Sequence, residues 1–341
     1  MEYLKPTFNK ELKQSFDKKT KKVSYSEEPV LPFKLVGKEE DHPRLIRILN
    51  RLCKSEFGYE QAKTACEAGF TLGFASTSGA IGVCDQAGSF ITLNPRFSDD
   101  VLVGTLSHES RHAGQFARGG NELFGIDNIK SEIIKFRSME ADAEVSNVTA
   151  CYELYQQGDT KPYLEYGKKN PYIYNAFKQA QPKDEPVTKE AQTAAFKAWY
   201  DNLDTKYSYE KGYHVDHMKK ALAEEKSDKY PYSNNITSEQ QINQTCVTKN
   251  GCYFTDNKNL LETGKFLEIS DTSRSVFENF FIYRQQHFGL PMDETLKDIP
   301  IQRSRFLMPE IIFDAFKAND NKDIPTITVN KLKQMTNRGS R

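Results

Sequence analysis

The sequence predicts an α+β protein with a small antiparallel sheet, two long helices and a mainly helical C-terminal region. Three short segments with strand character, at 70–76, 80–84 and 89–93, are separated by Ser-Gly and Ala-Gly turn signals. Two long segments with helical spacing follow, at about 99–117 and about 131–157. Strands that are followed by a run of helices are typical of the α+β class.

The pattern divides the chain into three regions. Residues 1–40 are rich in Lys and Glu with scattered prolines, and we expect a weakly ordered basic segment there. Residues 41–160 hold two short helices, the strands and the two long helices, and they form the predicted core. Residues 161–341 are predicted to be mainly α-helical, with helices separated by polar, Asn-rich loops, at 188–202, 207–225, 275–287 and 310–318.

Composition excludes several classes of protein. Lys+Arg and Asp+Glu both number 47, so the formal net charge is zero and no global field attracts nucleic acid or anionic lipid. No stretch approaches the roughly 18 apolar residues of a membrane span, and the N-terminus lacks the apolar segment of a secretory signal. We therefore expect the cytosol as the default location, with secretion by a non-classical route left open. The oligomeric state cannot be read from the sequence.

The six cysteines contain no Cys-x-x-Cys pair. Four of them stand in apolar surroundings and are typical of small buried hydrophobes: Cys53, Cys66, Cys84 and Cys151. Cys246 and Cys252 flank a short Thr-Lys-Asn-Gly segment and could close a small loop if oxidised.

The helix predicted at 99–117 has clear start and stop signals. Ser98 is a suitable N-cap, and the two aspartates that follow it suit the positive end of the helix dipole. Gly119 and Gly120 end the pattern. The residues before the central polar stretch are apolar enough to bury one face of this helix.

This helix carries the string His108-Glu109-Ser110-Arg111-His112, which has the form H-E-x-x-H. Residues four apart on a helix project from the same face, so His108 and His112 can bind one Zn²⁺ at about 2.0–2.1 Å each. Glu109 is displaced around the helix, where its carboxylate can reach a metal-bound water rather than the metal. Because zinc lowers the pKa of that water to about 7, Glu109 can act as the general base.

A catalytic zinc site needs a third protein ligand, and residue 118 is Arg where the extended H-E-x-x-H-x-x-G-x-x-H pattern has a third His. The next predicted helix supplies carboxylates in Glu140-Ala-Asp-Ala-Glu144. Glu140 and Glu144 share a face, so we expect Glu140 to bind the metal and Glu144 to orient a ligand imidazole through its second ring nitrogen. Asp142 points about 160° away from Glu140 and is less suited to either role.

These two strings resemble the gluzincin pattern, in which H-E-x-x-H is completed by a Glu one helix later. More narrowly, they resemble a bacterial family of inferred metallopeptidases whose motif runs close to H-E-x-R-H-A-x-Q…E-A-D-A. The resemblance covers about residues 70–155 and implies a zincin-like core, Zn²⁺ and hydrolysis of a peptide or protein substrate. It also implies metal ligands at His108, His112 and Glu140 and a catalytic Glu109. Gluzincins often carry Asp where this chain has Glu144.

A second polar cluster lies in Tyr213, His214 and His217. A peptidase of this kind needs a donor for the tetrahedral oxyanion, which these residues could supply. The two histidines could alternatively bind a second metal, or the cluster could be an ordinary polar helix face. Arg111 is expected to point to solvent.

Two other functions compete with a zinc peptidase. Glu109-x-x-His112 is also the E-x-x-H string of di-metal carboxylate oxidases, but the other instance, Glu39-x-x-His42, runs into Pro43 and cannot lie within a helix. The alternative is a non-catalytic module in which zinc joins the two long helices, or a degenerate peptidase kept for binding. Retention of Glu109 argues against it, because a structural zinc site has no use for a general base.

Overall fold

The computed structural model describes residues 28–77, 79–120 and 123–302. The chain forms two compact units, one from residues up to Gly114 together with Thr149–Tyr166, the other from Gln115–Val148 together with residues from Gly167 onward. Most of the predicted basic N-terminal segment and the helix predicted at 310–318 lie outside the described residues. The division into three sequence regions stays a prediction.

A four-stranded mixed sheet forms the centre of the first unit. Its strands follow the order β1-β2-β4-β3 and have these bounds: β1 (Lys34–Val36), β2 (Thr71–Phe74), β3 (Gly82–Asp85) and β4 (Phe90–Leu93). β1 and β4 both pair with β2 in parallel, and only β3 and β4 pair antiparallel. The prediction of an antiparallel sheet is therefore wrong for the pairing of β2 with β4 and holds for that of β3 with β4, and strand β1 was not predicted.

Helices between β1 and β2 explain the parallel pairing. Strand β1 lies in the segment that was expected to be weakly ordered, and it is followed by α1 (His42–Leu52) and α2 (Glu56–Glu67) before β2 begins. Such a helical crossover is what parallel neighbours require, whereas a tight hairpin suffices for antiparallel ones. The apolar stripe of α1 is fully buried, at Leu45, Ile48, Leu49 and Leu52.

The first long helix, α3 (Asp99–Ala117), has the predicted bounds. The Leu102 N–H donates to the Ser98 carbonyl at 3.0 Å, and the side chains of Asp99 and Asp100 pair with Arg44 and Arg51, each at 2.7 Å. At the other end Gly119 has φ +91°, the left-handed conformation that favours glycine after a helix.

The second long helix, α4 (Ile129–Gln156), is buried on every side over residues 131–143. A helix in this position has no solvated face on which to place its polar residues. Its buried polar side chains therefore need hydrogen-bond partners within the protein. One of them is Arg137, which donates to Glu210 at 2.7 Å in an ion pair whose side chains are 2% and 1% exposed.

The second unit is mainly helical, as predicted for the C-terminal region. Beyond α5 (Lys161–Lys169), which begins in the first unit, its α-helices have these bounds: α6 (Pro171–Ala180), α7 (Lys189–Trp199), α8 (Leu203–Tyr209), α9 (Asp216–Ala223), α10 (Ser238–Thr245), α11 (Gly264–Leu267) and α12 (Asp271–Phe288). A π-helical turn, Glu210–Val215, joins α8 to α9 in one continuous helix.

Two small strand pairs complete the second unit: β5 (Val247–Thr248) with β6 (Gly251–Cys252), and β7 (Ile269–Ser270) with β8 (Ile301–Gln302). Cys246 and Cys252 are not joined by a disulfide. Across the described ranges, none of the helices combines the length and apolar character that a bilayer crossing requires.

Candidate metal centre

His108 and His112 lie on successive turns of α3 with their rings facing one another. Their Nε2 atoms are 3.1 Å apart, and their ring centroids are 4.8 Å apart with the planes at 75°. Two nitrogens that bind one tetrahedral zinc at 2.0–2.1 Å are about 3.3 Å from each other. The spacing of the two rings therefore suits a single shared ion.

Glu140 on α4 is the acidic residue that accompanies them. The ligand atoms of His108, His112 and Glu140 all lie within 4.8 Å of one another, and Glu140 is 4% exposed. Two imidazole nitrogens and one carboxylate form the donor set of a catalytic zinc site, which keeps a fourth position for water. The residues present thus fit a metal ion of this kind.

The Glu109 side chain lies beside the edge strand β3. A Cβ added to Gly82 would be 2.7 Å from Glu109 Oε1 and 2.6 Å from Thr105 Cγ2, which real side chains do not tolerate. The glycine therefore permits the close approach of this carboxylate to the strand backbone. Glu109 itself is 6% exposed, so its environment is largely shielded from water.

The π-helical turn brings a tyrosine to the carboxylate of Glu140. The Tyr213 hydroxyl donates to Glu140 Oε1 at 3.0 Å. The Tyr213 ring stacks on Tyr209 with centroids 5.7 Å apart and planes at 12°. Burial raises the pKa of Tyr209 well above its usual value, and the nearby carboxylates of Glu140 and Glu144 raise it further. Single π turns inside α-helices are frequent at functional sites.

His214 and His217 lie in an aromatic cluster that includes Phe124. The Phe124 ring centroid is 6.4 Å from that of His214 and 4.5 Å from that of His217. Burial lowers the pKa of His214 to about 3 and that of His217 to about 4, so both rings are neutral at pH 7. A role for these two histidines or Tyr213 at an oxyanion stays a prediction.

Glu144 lies one turn beyond Glu140 on α4. It is half-buried and lines a cavity together with Trp199 and Tyr209. Its predicted role in orienting an imidazole stays a prediction.

Three polar residues of the two motif strings make buried hydrogen bonds that the sequence analysis did not predict. Arg111 was expected at the surface, but it is 1% exposed and donates to Gln61 on α2 at 3.1 Å, so that prediction is wrong. The Gln115 amide donates to Asp142 Oδ2 at 2.7 Å, and the Tyr253 hydroxyl donates to Asp142 Oδ1 at 2.8 Å. Arg111, Gln115 and Asp142 are all letters of the H-E-x-R-H-A-x-Q…E-A-D-A motif, which was the available signal.

One protein family matches the part of the chain that contains the candidate metal centre. A family model described as "Putative metallopeptidase family" matches residues 28–254, about two thirds of the 341 residues. No curated protein and no solved structure matches the chain. The matched range contains the two long helices, the sheet and the π-helical turn. The chain therefore belongs to this "Putative metallopeptidase family".

Proposed function

We propose that this protein is a zinc-dependent peptidase of the gluzincin type that hydrolyses peptide bonds in a peptide or protein substrate. The observation that carries the proposal is the grouping of His108, His112 and Glu140 within 4.8 Å, with Glu109 next to the first ligand. Membership of a metallopeptidase family supports the reaction class. Zinc is proposed because its catalytic sites use two histidines and a glutamate in this way.

The residues around the site have distinct roles in this proposal. When bound, zinc would supply an acidified water and a Lewis acid for the scissile carbonyl. Glu109 takes the proton of that water and passes it to the leaving amine, and its shielded position between α3 and β3 favours such a transfer. Tyr213 fixes the orientation of the Glu140 carboxylate through its hydroxyl.

The edge of the sheet offers a place for the substrate backbone. β3 is an end strand of the four-stranded sheet, and Gly82 on this strand adjoins Glu109. An end strand presents N–H and C=O groups that an extended peptide can pair with. A substrate held along β3 would pass close to the proposed general base.

The test combines metal analysis with one substitution. The purified protein should contain about one zinc and hydrolyse peptides in a broad library. Glu109→Gln should keep the zinc and lose about 100-fold or more of kcat, because the proton acceptor is gone. Glu67→Gln, at an exposed position on α2, is the matched control and should retain wild-type activity.

Two results would reject the proposal. Hydrolysis that persists in Glu109→Gln would mean that another group accepts the proton. A protein that binds zinc, unfolds when chelated and cleaves no peptide would instead be the non-catalytic zinc module.

The di-metal oxidase alternative has less support. Glu39 lies in a short 3-10 turn before α1, and His42 and Pro43 begin that helix, so this E-x-x-H string does not lie within a helix. Two irons per chain, rather than one zinc, would be the result that favours it.

A further inference from the structure

The side chain of Gln115, in the last turn of α3, is bonded to α4. Its amide nitrogen donates to the Met139 carbonyl at 3.0 Å and to Asp142 Oδ2 at 2.7 Å. Gln115 follows the proposed ligand His112 by three residues. Met139 and Asp142 stand on either side of the proposed ligand Glu140 in the sequence. One amide of the histidine helix therefore holds a backbone carbonyl and a side chain that flank the glutamate.

Asp142 is also held by Tyr253. The Tyr253 hydroxyl donates to Asp142 Oδ1 at 2.8 Å. The backbone of Tyr253 is fixed in turn, because its N–H donates to the Cys246 carbonyl at 3.0 Å and its carbonyl accepts from Thr193 Oγ1 at 3.1 Å. Both oxygens of the Asp142 carboxylate therefore accept hydrogen bonds from side chains that come from other parts of the chain.

These bonds lie in the interior of the protein. Gln115 is 3% exposed, and Asp142 and Tyr253 are each 1% exposed. Hydrogen bonds to a carboxylate are stronger than those between neutral groups, and shielding from water strengthens them further. The ends of helices otherwise fray, and α3 ends at Ala117, less than two turns after His112. The Gln115 side chain thus secures the part of α3 that would fray first.

We infer that Gln115 and Asp142 are positioning residues of the metal centre. By fixing the last turn of α3 against α4, they hold the His112 imidazole and the Glu140 carboxylate at the separation that one ion requires. Each acts through the ligand on its own helix. The inference rests on the proposed function, because it takes zinc as the ion of this site.

The first test is zinc affinity, measured by competition with a chelator. Gln115→Leu removes both bonds of the amide, so the zinc dissociation constant should rise about 10- to 100-fold. Gln241→Leu is the matched control. Gln241 is also 3% exposed and also donates at 2.7 Å, but its acceptor, Thr245 Oγ1, lies on the same helix α10. The control should lower the free energy of unfolding and leave the zinc dissociation constant within twofold of wild type.

A second variant tests the same bond with less risk to the fold. Asp142→Asn keeps the volume of the side chain and replaces the carboxylate by a neutral amide, so it should also weaken zinc binding, by a smaller factor than Gln115→Leu. Because both changes act on one hydrogen bond, the double variant should lose clearly less than the product of the two single losses.

The absorption of the Co²⁺-loaded protein gives a readout that does not depend on hydrolysis. The intensity of its visible bands depends on the coordination geometry of the ion. Gln115→Leu should change this intensity, because the ligands leave their arrangement. Gln241→Leu should retain the wild-type spectrum.

The outcomes separate this inference from the proposed function. Zinc affinities of Gln115→Leu and Gln241→Leu that are equal, whether both fall or neither does, overturn the positioning role and leave the peptidase standing. Multiplicative losses in the double variant also contradict it. The expected pattern in a zinc-loaded protein that cleaves no peptide supports the positioning role and rejects the peptidase. A wild-type protein that binds no zinc rejects both.

Discussion

The hydroxyl of Tyr213 offers a direct test of how Glu140 is held. Tyr213→Phe removes this hydroxyl and keeps the ring, which stacks on Tyr209 and on Phe136. The change should therefore leave the packing intact and delete one hydrogen bond of 3.0 Å to the carboxylate.

The magnitude follows from the kind of bond and its exposure. A hydrogen bond to a charged group contributes about 1.5–3 kcal/mol. Tyr213 is half-buried, so the lower part of this range, about 1.5–2 kcal/mol, applies to it. At 1.4 kcal/mol per factor of ten, the zinc dissociation constant should rise about 10- to 30-fold. This agrees with the about 10- to 100-fold effect of removing a residue that orients a metal ligand.

The assay is competition for zinc with a chelator of known affinity. Tyr207→Phe is the matched control, because Tyr207 lies on the same continuous helix and its hydroxyl bonds Gln302 instead of Glu140. A zinc affinity of Tyr213→Phe within twofold of both wild type and control would refute the reasoning. Unchanged affinity with a large fall in kcat would instead support Tyr213 as an oxyanion donor.

Three further perturbations test other parts of the structure. Gly82→Ala should lower kcat/KM about 10- to 100-fold with zinc retained, because its Cβ, 2.7 Å from Glu109 Oε1, displaces that carboxylate by several tenths of an ångström. Burial raises the pKa of Glu132 from 4.5 to about 8, so the folded state binds more protons than the unfolded state between these values. The free energy of unfolding should therefore fall as the pH rises from about 5 to about 8, and Glu132→Gln should reduce this slope in denaturant titrations. Arg137→Met should lower the free energy of unfolding by about 3–5 kcal/mol, because it leaves Glu210 buried without its cation.

Gly82→Ala and Arg137→Met each have a control variant on the same chain. Gly212→Ala adds a Cβ that meets nothing within 4 Å and should not affect activity. Lys197→Met breaks an ion pair with Asp256 whose side chains are 38% and 40% exposed, so it should change the free energy of unfolding by less than about 1 kcal/mol. Equal effects of Lys197→Met and Arg137→Met would contradict the role of burial, and equal pH slopes in wild type and Glu132→Gln would contradict the raised pKa.

The histidine helix was predictable because its signals are local. Its start at Asp99, its end at Ala117 and the facing of two imidazoles four residues apart all follow from caps and helical periodicity. Glu140 could be nominated for the same reason, since the next long helix was also recognisable and carries three carboxylates close together, Glu140, Asp142 and Glu144.

The hydrogen-bond partners of residues near the site were harder to predict from the sequence. Helix faces were used to rank the acids on α4, but this helix is buried on every side over residues 131–143, so a residue on any face has a protein neighbour. Asp142 was set aside on that argument and proves to accept hydrogen bonds from Gln115 and Tyr253. The parallel pairing of β1 with β2 likewise depends on contacts between residues far apart in sequence.

The extra residue in the turn Glu210–Val215 gives the chain an unusual point of sensitivity. A π turn contains one residue more than an α turn, so deletion of a single residue there would let the helix continue in regular α form. Because the π turn already absorbs the extra residue, the helix on either side of the deletion would keep its orientation and only the turn itself would be remodelled. Tyr213 lies within that turn, so the loss of one codon would move its hydroxyl relative to Glu140 while α8 and α9 keep their packing.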